Sequence, residues 1–216
     1  MSLHRVFALV LAVVALATGP TSAHALQDER AAPPPLLEEL ERLCLRAKGD
    51  HVWTWSWARA SGFEDMDPSA VTTFSLWGFA RDLRGMTRTV DGVEYRLMTA
   101  IGGSRPVGSD ARTDGHQATF CWVSARPQDR RRTVADVGRL LRVPSYRVGN
   151  SRLFPWLEQD GERRRVSRTA FERDFHRLVR EDHMQLVSVT HDKDWVHLGY
   201  FRRRDPAAEP DSLGRY

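Results

Sequence analysis

Cysteine is nearly absent: the 216 residues contain two, Cys44 and Cys121. Without a Cys-x-x-Cys pair, exchange chemistry of the thioredoxin type is not expected. If the two cysteines pair with each other, a Cys/His zinc site is excluded as well. Lysine is as scarce, since only Lys48 and Lys193 occur among 32 basic residues. Arginine used so uniformly reads as coding bias rather than as selection at one site. The chain has no His-Glu-x-x-His, no Gly-x-Ser-x-Gly and no Ser-x-x-Lys, so it offers no zincin helix and no recognisable serine nucleophile. The glycine-rich stretch Gly102–Gly115 matches neither phosphate-cradle pattern and reads as a loop. Asp and Glu are scattered without a pair suited to glycoside hydrolysis. A net charge of only +4 argues against nucleic acid as a partner. No internal repeat is visible.

Only one long apolar run is present, Phe7–Ala17. His4-Arg5 precedes it, Gly19 and Pro20 break it, and Ala23-His24-Ala25 supplies small-x-small cleavage chemistry. This predicts a signal peptide over 1–25, cleaved near Ala25, and a periplasmic or secreted protein. The run is short for a membrane span, which takes about 20 apolar residues, so an integral membrane protein is not expected. Residues 26–35, with Pro33-Pro34-Pro35, read as a tether; 36–204 as a single α+β domain; 205–216 as a disordered tail. Two cysteines in an exported chain usually pair, which predicts a Cys44–Cys121 disulfide.

Within the domain, apolar residues at 36, 40, 43 and 47 make a helix of Leu36–Ala47 with Cys44 on its inner stripe. Gly49 stops that helix, and Asp50 caps a second, ending at Gly62. On this second helix Trp53 and Trp57 share a face and are expected in the core, leaving Trp55 half exposed. Val71–Ala80 is expected as a strand. Met86–Val90 and Val93–Ile101 form a hairpin about Asp91-Gly92. Gln117–Pro127 carries apolar residues on both faces, Cys121 on one and Trp122 on the other, and is expected at the centre of the sheet. A third helix, Thr133–Val143, starts with a capping-box-like Thr133 and Asp136; Ser145–Gly161 is read as turn-rich. Ser167 caps a fourth helix. Met184–His191 and Trp195–Arg203 close the fold as a hairpin. The expected architecture is α+β, with a mainly antiparallel sheet of about five to six strands, partly covered by about four helices and held by one disulfide.

Cys44, then Gly49-Asp50 after four residues, then a helix ending in Gly62-Phe63 and a second cysteine in a mid-chain strand resemble a group of small exported proteobacterial proteins with no assigned activity. In that group the aromatic after the glycine is usually Trp, where Phe63 stands here. The resemblance implies a periplasmic, disulfide-bonded protein and supplies no catalytic residue.

For function, the leading expectation is a non-catalytic binding module, using the sheet face or the aromatic surface, with Trp55 and Trp122 as candidate contacts. Its partner would be a periplasmic protein or a cell-envelope component. No cofactor or metal is expected. The alternative is a hydrolase built on the hairpin holding His191, Asp192 and His197, should the two imidazoles approach each other. Three arginine clusters, 130–132, 163–165 and 202–204, would form an anion site only if they converged.

Overall fold

A computed structural model describes residues 35–72, 80–103, 117–180 and 183–204. The signal peptide, most of the tether, the loop residues 104–116 and the tail fall outside them. Of the expected strand at Val71–Ala80, residues 73–79 also lie outside. Val71 and Thr72 instead end a short helix, α3, Pro68–Thr72.

The other helices are α1, Leu36–Leu40, which continues as a π-helical turn over Glu41–Leu45; α2, His51–Ala60; α4, Arg130–Leu141; and α5, Arg168–Arg180. The strands are β1 (Glu64–Asp65), β2 (Ala80–Val90), β3 (Val93–Gly103), β4 (Gln117–Arg126), β5 (Tyr146–Val148), β6 (Ser151–Gln159), β7 (Glu162–Arg165), β8 (Met184–Asp192) and β9 (Trp195–Arg203). The protein is therefore α+β, and among the described residues there are nine strands and six helical segments rather than the five to six and four expected. Every described strand pairing is antiparallel, in the order β1-β2-β3-β4-β9-β8-β6-β5, with β7 also paired to β6. No helix among the described residues is long and apolar enough to cross a membrane.

Turn chemistry explains the hairpins. Asp91 and Gly92 both take positive φ, 47° and 78°, as a two-residue hairpin twisted with its strands requires. Asp160 and Gly161 do the same between β6 and β7. That second turn, and β5–β7 as a whole, replace the turn-rich segment expected at Ser145–Gly161. Pro155 is tolerated inside β6 because β5 pairs only Ser151–Leu153 and β7 only Trp156–Gln159. At Pro155 the outer edge asks for no ladder bond. β7 is exposed along its length and carries Arg163–Arg165, a charged edge of the kind that discourages further strand pairing.

Alternation along β3, β4 and β9 gives the sheet two unlike faces. On the first, Tyr95, Leu97, Cys121, Val123, Leu198 and Tyr200 are buried beneath α1, α2 and α4. Leu36, Leu40, Leu43 and Cys44 fill the inner stripe of the first helix, as its spacing predicts. On the second face α5 covers one end only, packing Phe171, Leu178 and Val179 over Met184, Leu157 and Phe201. Its N-terminus is held by Ser167, whose hydroxyl accepts from the Ala170 amide at 3.1 Å. The cap of α4 is Asp129 rather than Thr133: its carboxylate accepts from the Arg131 and Arg132 amides, so the helix begins three residues earlier than expected.

Candidate functional site

The covered face is built around the disulfide. Cys44 and Cys121 are bonded, both fully buried, with Cα atoms 5.6 Å apart and a separation of 77 positions in sequence. Gly49, at φ 72°, lets the chain leave this junction: a Cβ there would lie 2.6 Å from the Thr119 hydroxyl. Asp50 then caps α2, accepting from the Trp53 amide at 3.1 Å.

Burial on α2 reverses the expected tryptophan pattern. The inward stripe is His51, Thr54, Trp55 and Ala58, spaced i, i+3, i+4, i+7. Two of its polar members find partners: Thr54 donates to the Leu43 carbonyl at 2.7 Å, and the Trp55 indole donates to Thr99 at 2.9 Å. Trp55 is 7% exposed and lies under the Arg84 guanidinium, 4.1 Å from its ring, so it is not a surface contact. Trp53 is 57% exposed, and Trp57, half buried, flanks it with ring centroids 5.7 Å apart.

His51 is buried at the start of α2, 5.6 Å from the Trp55 ring. Burial pushes its pKa down to about 4; Asp50 and the nearby Phe120 backbone oppose the shift, and Arg204 and Arg84 add to it. Neither ring nitrogen meets a partner at good hydrogen-bond geometry. A buried carboxylate, Glu39, is 2% exposed and is held by Arg42 and, at 2.8 Å, by Arg88. Arg88 also donates to the Ser61 carbonyl at 2.7 Å, tying α1 and α2 to β2.

Trp122 lies on the other face, half buried. It stacks on Phe120 at 5.3 Å and 6° between planes, and its indole rests on Gly199, where a Cβ would come within 2.6 Å. Toward the hairpin ends this face turns polar. Glu94 pairs with Arg96 at 2.8 Å and with Arg126. Both guanidiniums lie on the Trp195 ring, at 4.0 and 4.8 Å, and His197 is close to parallel with that ring at 6.3 Å. The β4–β9 register sets Ser124 opposite His197, with Oγ 2.7 Å from Nδ1. Nothing local in the sequence signals that pair.

A hydroxyl beside an imidazole whose pKa burial lowers has the outline of a nucleophile and base. The remaining parts are not beside it. Among the described residues no carboxylate hydrogen-bonds His197. Ser124 is buried mid-strand between β3 and β9, both paired to it, which leaves little backbone N–H free to hold an oxyanion.

The His191–His197 pair does not converge. His191 lies opposite Val196 and His197 opposite Thr190, so adjacent registers send the two rings to opposite faces. His191 meets Arg130 instead, Nε2 to Nη1 3.5 Å, at a cleft of about 250 Å³ where the β8–β9 turn approaches the start of α4. Among the described residues no three His, Cys, Asp or Glu side chains gather as metal ligands. Of the arginine clusters, Arg163 reaches the Leu140 carbonyl at the far end of α4, and Arg202 the Lys48 carbonyl beside α2.

Fold and site together define an α+β protein with one antiparallel sheet, a buried disulfide joining its first helix to a central strand, and an exposed Trp53 flanked by half-buried Trp57. Compared with known proteins, the chain matches no family model, no curated protein and no solved structure.

Proposed function

We propose that the protein is an exported, non-catalytic binding module that engages a protein of the cell envelope through Trp53 and Trp57. The observation that carries this reading is the 57% exposure of Trp53 on a helix that cannot give way. Asp50 caps that helix, Trp55 is bonded to Thr99, and the disulfide lies seven residues before its first turn in sequence. A large aromatic presented rigidly costs little ordering entropy on binding, which is why tryptophan is common at interface hot spots. Neighbouring charges are already matched, Arg46 with Glu41 and Arg59 with Asp65, so they form a polar rim without a strong sign of its own. Export is supported by the signal-like N-terminus and by a structural disulfide, which persists in oxidising compartments. A hydrolase using His191 and His197 is disfavoured because the two rings face opposite ways.

The test places a photo-crosslinking amino acid at position 53, and at exposed Val148 as a control, in cells producing the full chain. A discrete adduct from position 53, confined to the extracytoplasmic fraction and missing at position 148, is expected. No adduct at 53, or equal adducts at both positions, overturns the reading.

A further inference from the structure

We propose that the cleft beside the start of α4 binds a small carboxylate through Arg130, Lys193 and His191, with the apolar body of the ligand against Trp195 and Pro127. The site shares no residue with the Trp53 surface, and its test leaves that reading untouched.

The cleft is small, about 250 Å³, which suits an end group or a compact molecule. Its lining is rich in donors. Arg130 is fixed by Nη2, which donates to the Asn150 carbonyl at 2.9 Å. A guanidinium has no acceptor, so in the contact with His191 it is the imidazole Nε2 that accepts. The other ring nitrogen of His191, Nδ1, is buried and has no partner. An orphaned polar atom calls for a partner that the protein does not supply.

Charge points the same way. Arg42, Arg88, Arg96 and Arg126 each have a carboxylate within 4 Å. Among the described residues Arg130 and Lys193 have none within that distance. The α4 amides do not account for the preference, because Arg131 and Arg132 donate theirs to Asp129. Asp194 is the one carboxylate in the lining, so two cations stand against one anion. That leaves a single positive charge in excess, which matches a carboxylate better than a phosphate dianion. Trp195 and Pro127 give the ligand's apolar part a surface to cover.

The experiment follows the imidazole nitrogens of His191 by NMR in the intact protein during titration with sodium benzoate, against sodium chloride at equal ionic strength. A saturable shift at His191 is expected with benzoate alone, larger than any shift at His197, which lies beyond Trp195. Arg130→Gln should raise the half-saturating concentration at least tenfold, and Lys193→Gln about threefold. Lys193 sits on an exposed turn, so its variant keeps the test decisive if Arg130→Gln does not fold. Equal shifts with chloride, unchanged binding in both variants, or half-saturation by inorganic phosphate at lower concentration than benzoate would each overturn the proposal.

Discussion

The two faces of the sheet handle polarity in different ways. Under the helices, several polar groups have their own particular partners: Thr54 on a carbonyl, Trp55 on Thr99, Glu39 between two arginines. The ring nitrogens of His51, the Thr119 hydroxyl and the Trp156 indole are buried there without a partner at good hydrogen-bond geometry. At the hairpin end of the other face, Glu94, Arg96, Arg126, Trp195, His197 and Ser124 form a connected, half-buried layer. Burying polar groups one by one makes the covered face rigid and intolerant of change. A shared network near solvent tolerates the loss of a member, because water replaces what is removed.

The largest expected contrast concerns the disulfide. Cys44→Ser with Cys121→Ser should remove about 4–5 kcal/mol, the chain-entropy figure for a loop of this length. Denaturant midpoints of the oxidised protein and the variant measure it. A loss below about 1 kcal/mol would mean that the covered face does not depend on its staple.

Next come the tryptophans of α2. Trp55→Ala should cost about 3–5 kcal/mol as a large core deletion. Trp53→Ala should cost within about 0.5 kcal/mol, as an exposed substitution. Equal losses in thermal or denaturant melts would break the assignment of inner and outer sides.

The smallest contrast appears in acid. His51 has a folded pKa of about 4 against 6.5 unfolded, so the unfolded chain takes up its proton first as pH falls. Stability is intact above about pH 6.5 and declines through the window down to about pH 4, by about 3 kcal/mol in all. His197, on the open face, is also lowered by burial and adds to the slope in the same direction. His51→Gln should flatten the decline more than His197→Gln, read from urea midpoints at pH 7 and pH 4.5. The reverse order would move the acid-sensitive point to the network.

Much of the covered face could be read from the chain. The stripe at 36, 40, 43 and 44, the Asp50 cap, the Asp91-Gly92 turn and the two-sided apolar pattern of β4 all act locally, and all recur in the fold. The inward side of α2 was misassigned because Trp53 and Trp57 weigh more in hydrophobicity than His51 and Thr54. It is Trp55 and Ala58 that reach the core, and Thr54 beside them finds an acceptor there that only the tertiary structure reveals. Strands β6 and β7 carried a usable signal, since Asp160-Gly161 repeats the chemistry of Asp91-Gly92, but Pro155 made the segment read as broken. Ser124 beside His197, and Arg130 beside His191, depend on pairings 61 to 73 residues apart in sequence. No local period encodes them.

The place of β9 bears on how the chain reaches this state. It is the last described strand, yet it lies between β4 and β8, near the middle of the sheet. Until Trp195–Arg203 arrives, β1–β4 and β5–β8 are two partial sheets, each with an open hydrogen-bonding edge, at β4 and at β8. A chain made from its N-terminus therefore carries the β4 edge unpaired from Arg126 until β9 arrives, the β8 edge joins it only just before β9, and the β4–β9 contacts that close the sheet are distant in sequence. Such an order slows folding and lengthens exposure to mispairing. The nascent chain has most need of a holding factor just before its final strand emerges.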